Sequence, residues 1–216
     1  METSSIIGIL AISLPLGMLH ALDPDHVLAV ATLCGRESNP IRAHSYALHW
    51  AAGHGGLLLL ITVAVLCFHW VVPQGVPYWA ERSVGVILIL TGTSVLWNIR
   101  KERLHERAHG EVPPVDGSHT HGHRVLRAPL LIGVVHGTAG SAVFLALLPA
   151  AFLSPALGLL YVVVFSIGVL AGMVGFAALL RFCHGWLERR AQGFAQLGRG
   201  TLAAVAMGAG IFWVLG

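Results

Sequence analysis

Gly17-Met-Leu-His20-Ala-Leu-Asp23-Pro24-Asp25-His26-Val27 sets the terms for the whole chain. Two histidines and two aspartates fall within seven residues, inside an apolar run that starts near Ser4 and continues to Leu33. In water such a stretch makes an ordinary polar turn. At the centre of a membrane helix one Asp costs roughly 2.5–3.5 kcal/mol, and ionisable groups there mark ion pathways. The stretch therefore predicts a working site in the middle of a membrane helix.

Composition supports the membrane. The chain has 216 residues, 56% hydrophobic and 11% charged, with a mean hydropathy of +0.76. A soluble domain carries about 25% charged residues. The net charge of +3 does not call for nucleic acid, because the basic residues are confined to a few loops. Cys34, Cys67 and Cys183 form no Cys-x-x-Cys pair, so neither a thiolate metal site nor a redox motif is indicated. Met-Glu-Thr-Ser-Ser lacks a basic n-region, and the first apolar run is expected to be a retained span.

A span needs about 20 mostly apolar residues. Six segments qualify: Ser4–Leu33, His44–Phe68, Arg82–Ile99, Arg127–Ala151, Pro155–Phe182 and Gly200–Leu215. The expected fold class is an all-α integral membrane protein of six transmembrane helices. Trp70 and Trp79 are expected interface anchors. The loops after the first, third and fifth spans hold 12 of the 13 Lys and Arg residues, and the other side holds only Arg82. The positive-inside rule puts those loops in the cytoplasm and both termini outside.

The halves repeat. A shift of 116 positions brings Gly17 onto Gly133, His20 onto His136, Gly56 onto Gly172, Cys67 onto Cys183, Trp70 onto Trp186 and Trp97 onto Trp213, without a gap. Each half holds three spans, so the second must enter the membrane inverted. Such inverted repeats place a binding site near the midplane, on helices broken by Gly or Pro. The expected organisation is residues 1–99 as the first three-helix repeat, 100–126 as a His-rich cytoplasmic loop, and 127–216 as the second repeat.

On an ideal helix His20, Asp23 and His26 share an arc about 120° wide, and Asp25 points about 100° from His26. Pro24 lacks an N–H and clashes with the His20 carbonyl, so a kink that frees a backbone carbonyl is expected there, either bringing Asp25 into the site or adding a carbonyl oxygen to it. Imidazole with carboxylate and no thiolate suits a borderline divalent ion such as Ni²⁺, Co²⁺ or Zn²⁺. A metal-free proton relay of Asp and His is the competing chemistry.

Further candidates surround this motif. Gly53-His54-Gly55-Gly56 puts a third imidazole in the second span, with glycines that let backbone approach, and His54 is expected to be a ligand or gate. His49 is a candidate gate. In the second half, His136 is expected to be a ligand, with Thr138 and Ser141 beside it; Gly137, Ala139 and Gly140 fit close helix packing. His105, His109, His119, His121 and His123 crowd the cytoplasmic loop, which Pro113, Pro114 and Gly117 keep from packing. They fit either auxiliary metal capture or a solvated linker that happens to be His-rich.

His20, four residues, then Asp25-His26 resembles the signature of the nickel/cobalt transporter (NiCoT) family. Gly17–Val30 is most similar to that family's shorter members, often labelled urease-accessory or high-affinity nickel-transport proteins. Gly53-His54 resembles the family's Leu-Gly-His-Ser element, with Ala52 and Gly55 in place of Leu and Ser. His136-Gly-Thr-Ala-Gly-Ser141 resembles a His-Gly-x-Ala-Gly-Ser element of the shorter branch. The resemblance implies transport of Ni²⁺ or Co²⁺ as substrate across a bacterial inner membrane, with His20, Asp25 and His26 as the core of the ion site and His54 beside it. It also implies a link to metallochaperones or nickel-enzyme maturation.

Uptake of nickel is the leading expectation, and efflux of the same ions, by proton exchange through Asp23 or Asp25, is the second. A membrane-embedded metalloenzyme is a third. Against it, neither a His-Glu-x-x-His helix nor a Gly-x-Ser-x-Gly elbow is expected in the chain. A non-transporting membrane partner in nickel-enzyme assembly is a fourth. No P-loop is visible, so the chain is expected to bind no nucleotide cofactor of its own.

Overall fold

The structure, a computed structural model, describes residues 3–34, 40–73, 75–109, 122–139, 142–190 and 192–216. These form helices α1 (Thr3–His20), α2 (Pro24–Cys34), α3 (Pro40–Phe68), α4 (Gly75–His109), α5 (Gly122–His136), α6 (Ala142–Ala151), α7 (Pro155–Arg190) and α8 (Gln192–Leu215), with no strand among the described residues. Among the described residues, four helical segments are long and apolar enough to cross a membrane: His44–Phe68, Gly75–Leu104, Pro155–Cys183 and Gln196–Leu215. A fifth forms if α1 and α2, bent by 55° at their junction, act as one span. Their outer faces carry exposed Leu60, Leu90, Trp97, Leu179 and Phe212, an apolar surface suited to lipid. Trp70 and Trp79 are exposed near the α3–α4 connection, where interface anchors were expected.

Several expected boundaries move. The expected third span ran from Arg82 to Ile99. The helix instead starts at Gly75, and the Arg82 guanidinium lies 3.5 Å from the Tyr78 ring centre, a cation–π contact that accommodates the charge. Residues 100–109, expected as loop, continue α4, and residues 122–126 open α5. The run Glu102–Ala108 contains good helix formers and no Gly or Pro to stop it. The expected fourth span, Arg127–Ala151, is divided into α5 and α6, each too short to cross alone.

The expected kink at Pro24 is a full break. α1 closes at His20, whose carbonyl accepts the Asp23 N–H at 3.0 Å, so it is not left free. Asp23 then starts α2: its carbonyl accepts the Val27 N–H at 3.0 Å, and Pro24 takes the first helical position, where a missing N–H costs nothing. The single arc drawn through His20, Asp23 and His26 therefore does not exist. The histidines sit on two helices with different axes.

Helix packing is set by glycines against backbone. An added Cβ at Gly17 would overlap the Phe165 carbonyl, and at Gly133 the Trp50 carbonyl. Gly53 lies against Leu130 and Val134, and Gly168 against Leu14 and Met18. These contacts run in parallel order for α1 with α7 and for α5 with α3. Gly55 beside Ser166 and Gly158 beside Leu66 give α3 and α7 antiparallel order, as Gly85 beside Gly210 and Gly92 beside Met207 do for α4 and α8.

The paired contacts follow two spacings rather than the single one expected. Gly17 and Gly133, Leu14 and Leu130, and Met18 and Val134 are equivalent at 116 positions. Trp50 and Phe165, Gly53 and Gly168, and the helix-opening Pro40 and Pro155 are equivalent at 115. The alignment is not gapless, because the connection from His136 to Pro155 is one residue shorter than that from His20 to Pro40. The apparent match of Cys67 with Cys183 is one residue out of structural register. The main core lies between α1, α3, α6 and α7, where Trp50, Leu58, Tyr161, Phe165 and Met173 are fully buried. The Tyr161 hydroxyl donates to the Leu145 carbonyl at 3.0 Å, tying α7 to α6.

Candidate metal centre

The break between α1 and α2 delivers two histidines to the core. His20 is the last residue of α1, and His26 lies in the first turn of α2. His54 comes from the middle of α3, held close to α5 by Gly53 and Gly133. One ligand atom from each of His20, His26 and His54 lies within 4.8 Å of the others, and all three side chains are buried. His20 Nε2 stands 3.4 Å from His54 Nε2. Ring centres are 4.6 Å apart for His20 and His26, 5.4 Å for His20 and His54, and 5.2 Å for His26 and His54.

The opposite ring nitrogens are fixed by acceptors. His20 Nδ1 lies 2.9 Å from Asp23 Oδ2, and His26 Nδ1 lies 2.8 Å from Asp25 Oδ1. An ionised carboxylate only accepts, so each Nδ1 donates, and in the neutral ring it is then Nε2 that carries the lone pair. This carboxylate–histidine pairing is the support that metal-binding imidazoles commonly use. Among the described residues, His26 Nε2 and His54 Nδ1 are buried with no hydrogen-bond partner. Leaving such atoms unpaired is costly, so the cluster is built to receive something. Three neutral imidazoles supply nitrogen donors without excess negative charge. Such a set suits Ni²⁺, Co²⁺, Cu²⁺ and Zn²⁺ rather than Mg²⁺ or Ca²⁺.

Asp23 and Asp25, expected as ligands, thus sit on the far sides of the imidazoles. The cause is local geometry: α2 starts at Pro24, which leaves each carboxylate within reach of a neighbouring Nδ1. His136, the last residue of α5, is buried and its ring centre is 5.6 Å from that of His26. Its Nδ1 donates to the Ile132 carbonyl at 2.8 Å, and its Nε2 has no partner among the described residues. His136 borders the three-histidine group without being part of it.

The remaining candidates lie elsewhere. His49 bonds the Ser45 carbonyl through Nδ1 at 2.7 Å, within its own helix. The Thr138 hydroxyl donates to the Val135 carbonyl at 3.0 Å, closing the end of α5. Ser141, His119 and His121 lie outside the described residues. So do the side chains of His105, His109 and His123, whose backbones are helical.

Two sequence signals were passed over. Trp50 is fully buried, stacked on His54 with ring centres 5.2 Å apart and planes 20° apart, and it meets His26 at 4.8 Å and His136 at 5.3 Å. On the other side, Phe165 lies 5.6 Å from His20. The prolines Pro40 and Pro155 would have revealed their equivalence. The second signal is His105-Glu106-Arg107-Ala108-His109, a His-Glu-x-x-His sequence outside the spans, on the last turn of α4.

Fold and site together define a polytopic helical protein with an imidazole cluster buried among apolar helices. The chain is 28% identical over 180 residues to the urease accessory protein UreH of Bacillus sp. (strain TB-90), an alignment covering 83% of this chain and 79% of that protein. No family model matches the chain. No solved structure matches it.

Proposed function

We propose that the protein carries Ni²⁺ across a bacterial inner membrane by uptake, with Co²⁺ as the alternative substrate, and that the ion rests between His20, His26 and His54. The observation that carries this is the convergence of three buried imidazoles within 4.8 Å, at a break in an apolar helix. The similarity to a urease accessory protein points the same way, since the family's shorter members bear that label. It also favours a carrier over an enzyme, and supports metallochaperones or nickel-enzyme maturation proteins as partners.

The architecture fits six crossings in inverted halves: α1 with α2, α3 and α4, then α5 with α6, α7 and α8. Helix order supports it. With α1 parallel to α7, α5 parallel to α3, and α3 antiparallel to α7, α1 and α5 must run in opposite directions. Both broken pairs then end their first segments, at His20 and His136, next to the cluster. Broken helices meeting near the midplane are how inverted-repeat carriers hold ions. The basic loops assign the N-terminal ends of α3 and α5 to the cytoplasm and both chain termini to the outside.

Efflux is the second reading, because the same site serves either direction. The deciding experiment expresses the chain in cells lacking their own nickel systems and follows radioactive nickel. Higher content at nanomolar supply supports uptake, and lower content at high supply supports efflux. Unchanged content in both regimes refutes transport. Calorimetric titration of the purified protein with Ni²⁺ tests the site itself, and absence of binding refutes it.

A further inference from the structure

Trp50 and Phe165 occupy equivalent places in the two halves. Each carbonyl packs against the equivalent glycine of a broken pair, Gly133 for Trp50 and Gly17 for Phe165. Each ring lies against the equivalent histidine: Trp50 at 5.3 Å from His136, Phe165 at 5.6 Å from His20. Both are fully buried. The symmetry stops at the metal cluster itself, where His26 and His54 have Ala142 and Val169 as counterparts. So the ligands are asymmetric and the aromatic flanks are symmetric.

α3 and α7 run antiparallel, and each aromatic residue precedes the cluster level on its own helix. Trp50 is one turn before His54, and Phe165 one turn before Val169, about 6 Å along each axis. Opposed helix directions place the two rings on opposite sides of the cluster along the membrane normal. We infer that Trp50 and Phe165 are the two gates of the ion site, Trp50 closing it from the cytoplasm and Phe165 from the outside. The inference rests on the transport reading and on its orientation. A site sealed by a ring on each side is the occluded state that alternating access requires, and moving one half against the other uncovers one ring at a time. Tryptophan and phenylalanine serve here because each covers a large area and leaves no charge beside the ion.

The test uses the full chain in sealed vesicles of one orientation, with Cys34, Cys67 and Cys183 replaced by Ser and Ala21→Cys as reporter beside His20. Ala21 is fully buried, so a membrane-impermeant thiol reagent should leave the reporter unmodified from either side. Trp50→Ala is expected to raise its modification rate at least tenfold from the cytoplasmic side only, and Phe165→Ala from the outer side only. Trp50→Phe and Phe165→Trp, which keep the bulk, should stay protected. Opening on the same side by both alanine variants, or on neither side, overturns the inference. Should an alanine variant be lost from the membrane, Trp50→Leu and Phe165→Leu carry the same comparison. Ni²⁺ binding by the parent is measured in parallel. A parent that binds no nickel sinks the transport reading, whereas nickel binding without sided opening sinks the gates alone.

Discussion

His20 Nε2 and His54 Nε2 face each other at 3.4 Å, from helices α1 and α3. The Nδ1 of His20 is engaged by Asp23, which leaves its Nε2 as the ring nitrogen turned to the second ring. A cation between or beside the two nitrogens turns this facing pair into a chelate, with His26 as the third donor. His20→Ala, His26→Ala or His54→Ala should therefore lower nickel affinity by more than about 100-fold, exceeding the range typical of supporting residues. Calorimetry on purified variants checks this. Parent-like affinity in any one of the three removes that residue from the site.

Asp23 and Asp25 should behave differently. Each accepts from an Nδ1 and orients a ring. Asn in either place keeps an accepting oxygen and removes the charge, so Asp25→Asn is expected to weaken nickel binding only about tenfold. Asp25→Ala, which also frees the ring, should approach the upper end of the 10–100-fold range for supporting groups. If Asp25→Asn matched His26→Ala in its loss, the carboxylate would have to touch the ion directly.

That contrast shows what the sequence could and could not reveal. The apolar lengths and the placement of ionisable residues made the helical membrane fold legible, and with it the buried histidines His20, His26, His54 and His136. The roles of the aspartates were not legible, because they depend on where α2 begins. A periodic reading extends one helix through Asp23, while Asp23 and Pro24 together stop it and start another. The spacing of the matching helix contacts was hidden for a similar reason. One residue lost between His136 and Pro155 moves α7 relative to α3, and chance matches such as Cys67 with Cys183 conceal the slip. Trp50 read as an ordinary apolar helix residue until its neighbours were known.

The glycine contacts predict a sharp division among alanine substitutions. At Gly17 and Gly133 a Cβ would meet backbone, which cannot rotate aside. At Gly8 and Gly175 nothing stands within 4 Å of that position. Gly17→Ala and Gly133→Ala should each cost about 1–3 kcal/mol through overpacking and displace α1 or α5 from the site. Gly8→Ala and Gly175→Ala should be neutral or slightly stabilising, because Ala favours helix by about 1 kcal/mol over Gly. Thermal unfolding in detergent separates the two groups. Equal effects in both would mean that α1 and α5 do not sit this close to α7 and α3.

His105-Glu106-Arg107-Ala108-His109 allows a direct test between carrier and enzyme. In a zinc hydrolase of that pattern the two histidines bind the ion and the glutamate acts as general base, so Glu106→Gln abolishes turnover. In a carrier whose ion sits between α1, α2 and α3, Glu106 has no chemical task. Glu106→Gln should leave nickel accumulation within about twofold of the parent, against the 10–100-fold that supporting groups of a metal site command. Collapse of nickel accumulation in this variant would move the chemistry to the end of α4.

The donor set predicts selectivity in two tiers. Nitrogen ligands bind first-row ions in the order Co²⁺ < Ni²⁺ < Cu²⁺ > Zn²⁺, whereas Mg²⁺ and Ca²⁺ require oxygen. Every donor in the group of His20, His26 and His54 is an imidazole nitrogen, and the nearby carboxylates are engaged with ring N–H groups. Millimolar Mg²⁺ or Ca²⁺ should therefore leave nickel binding unchanged, while micromolar Co²⁺, Zn²⁺ or Cu²⁺ should compete. Measured by displacement of radioactive nickel from the purified protein, strong competition by Mg²⁺ would require carboxylate oxygens around the ion. It would also require the two Asp–His pairs to open when the metal enters.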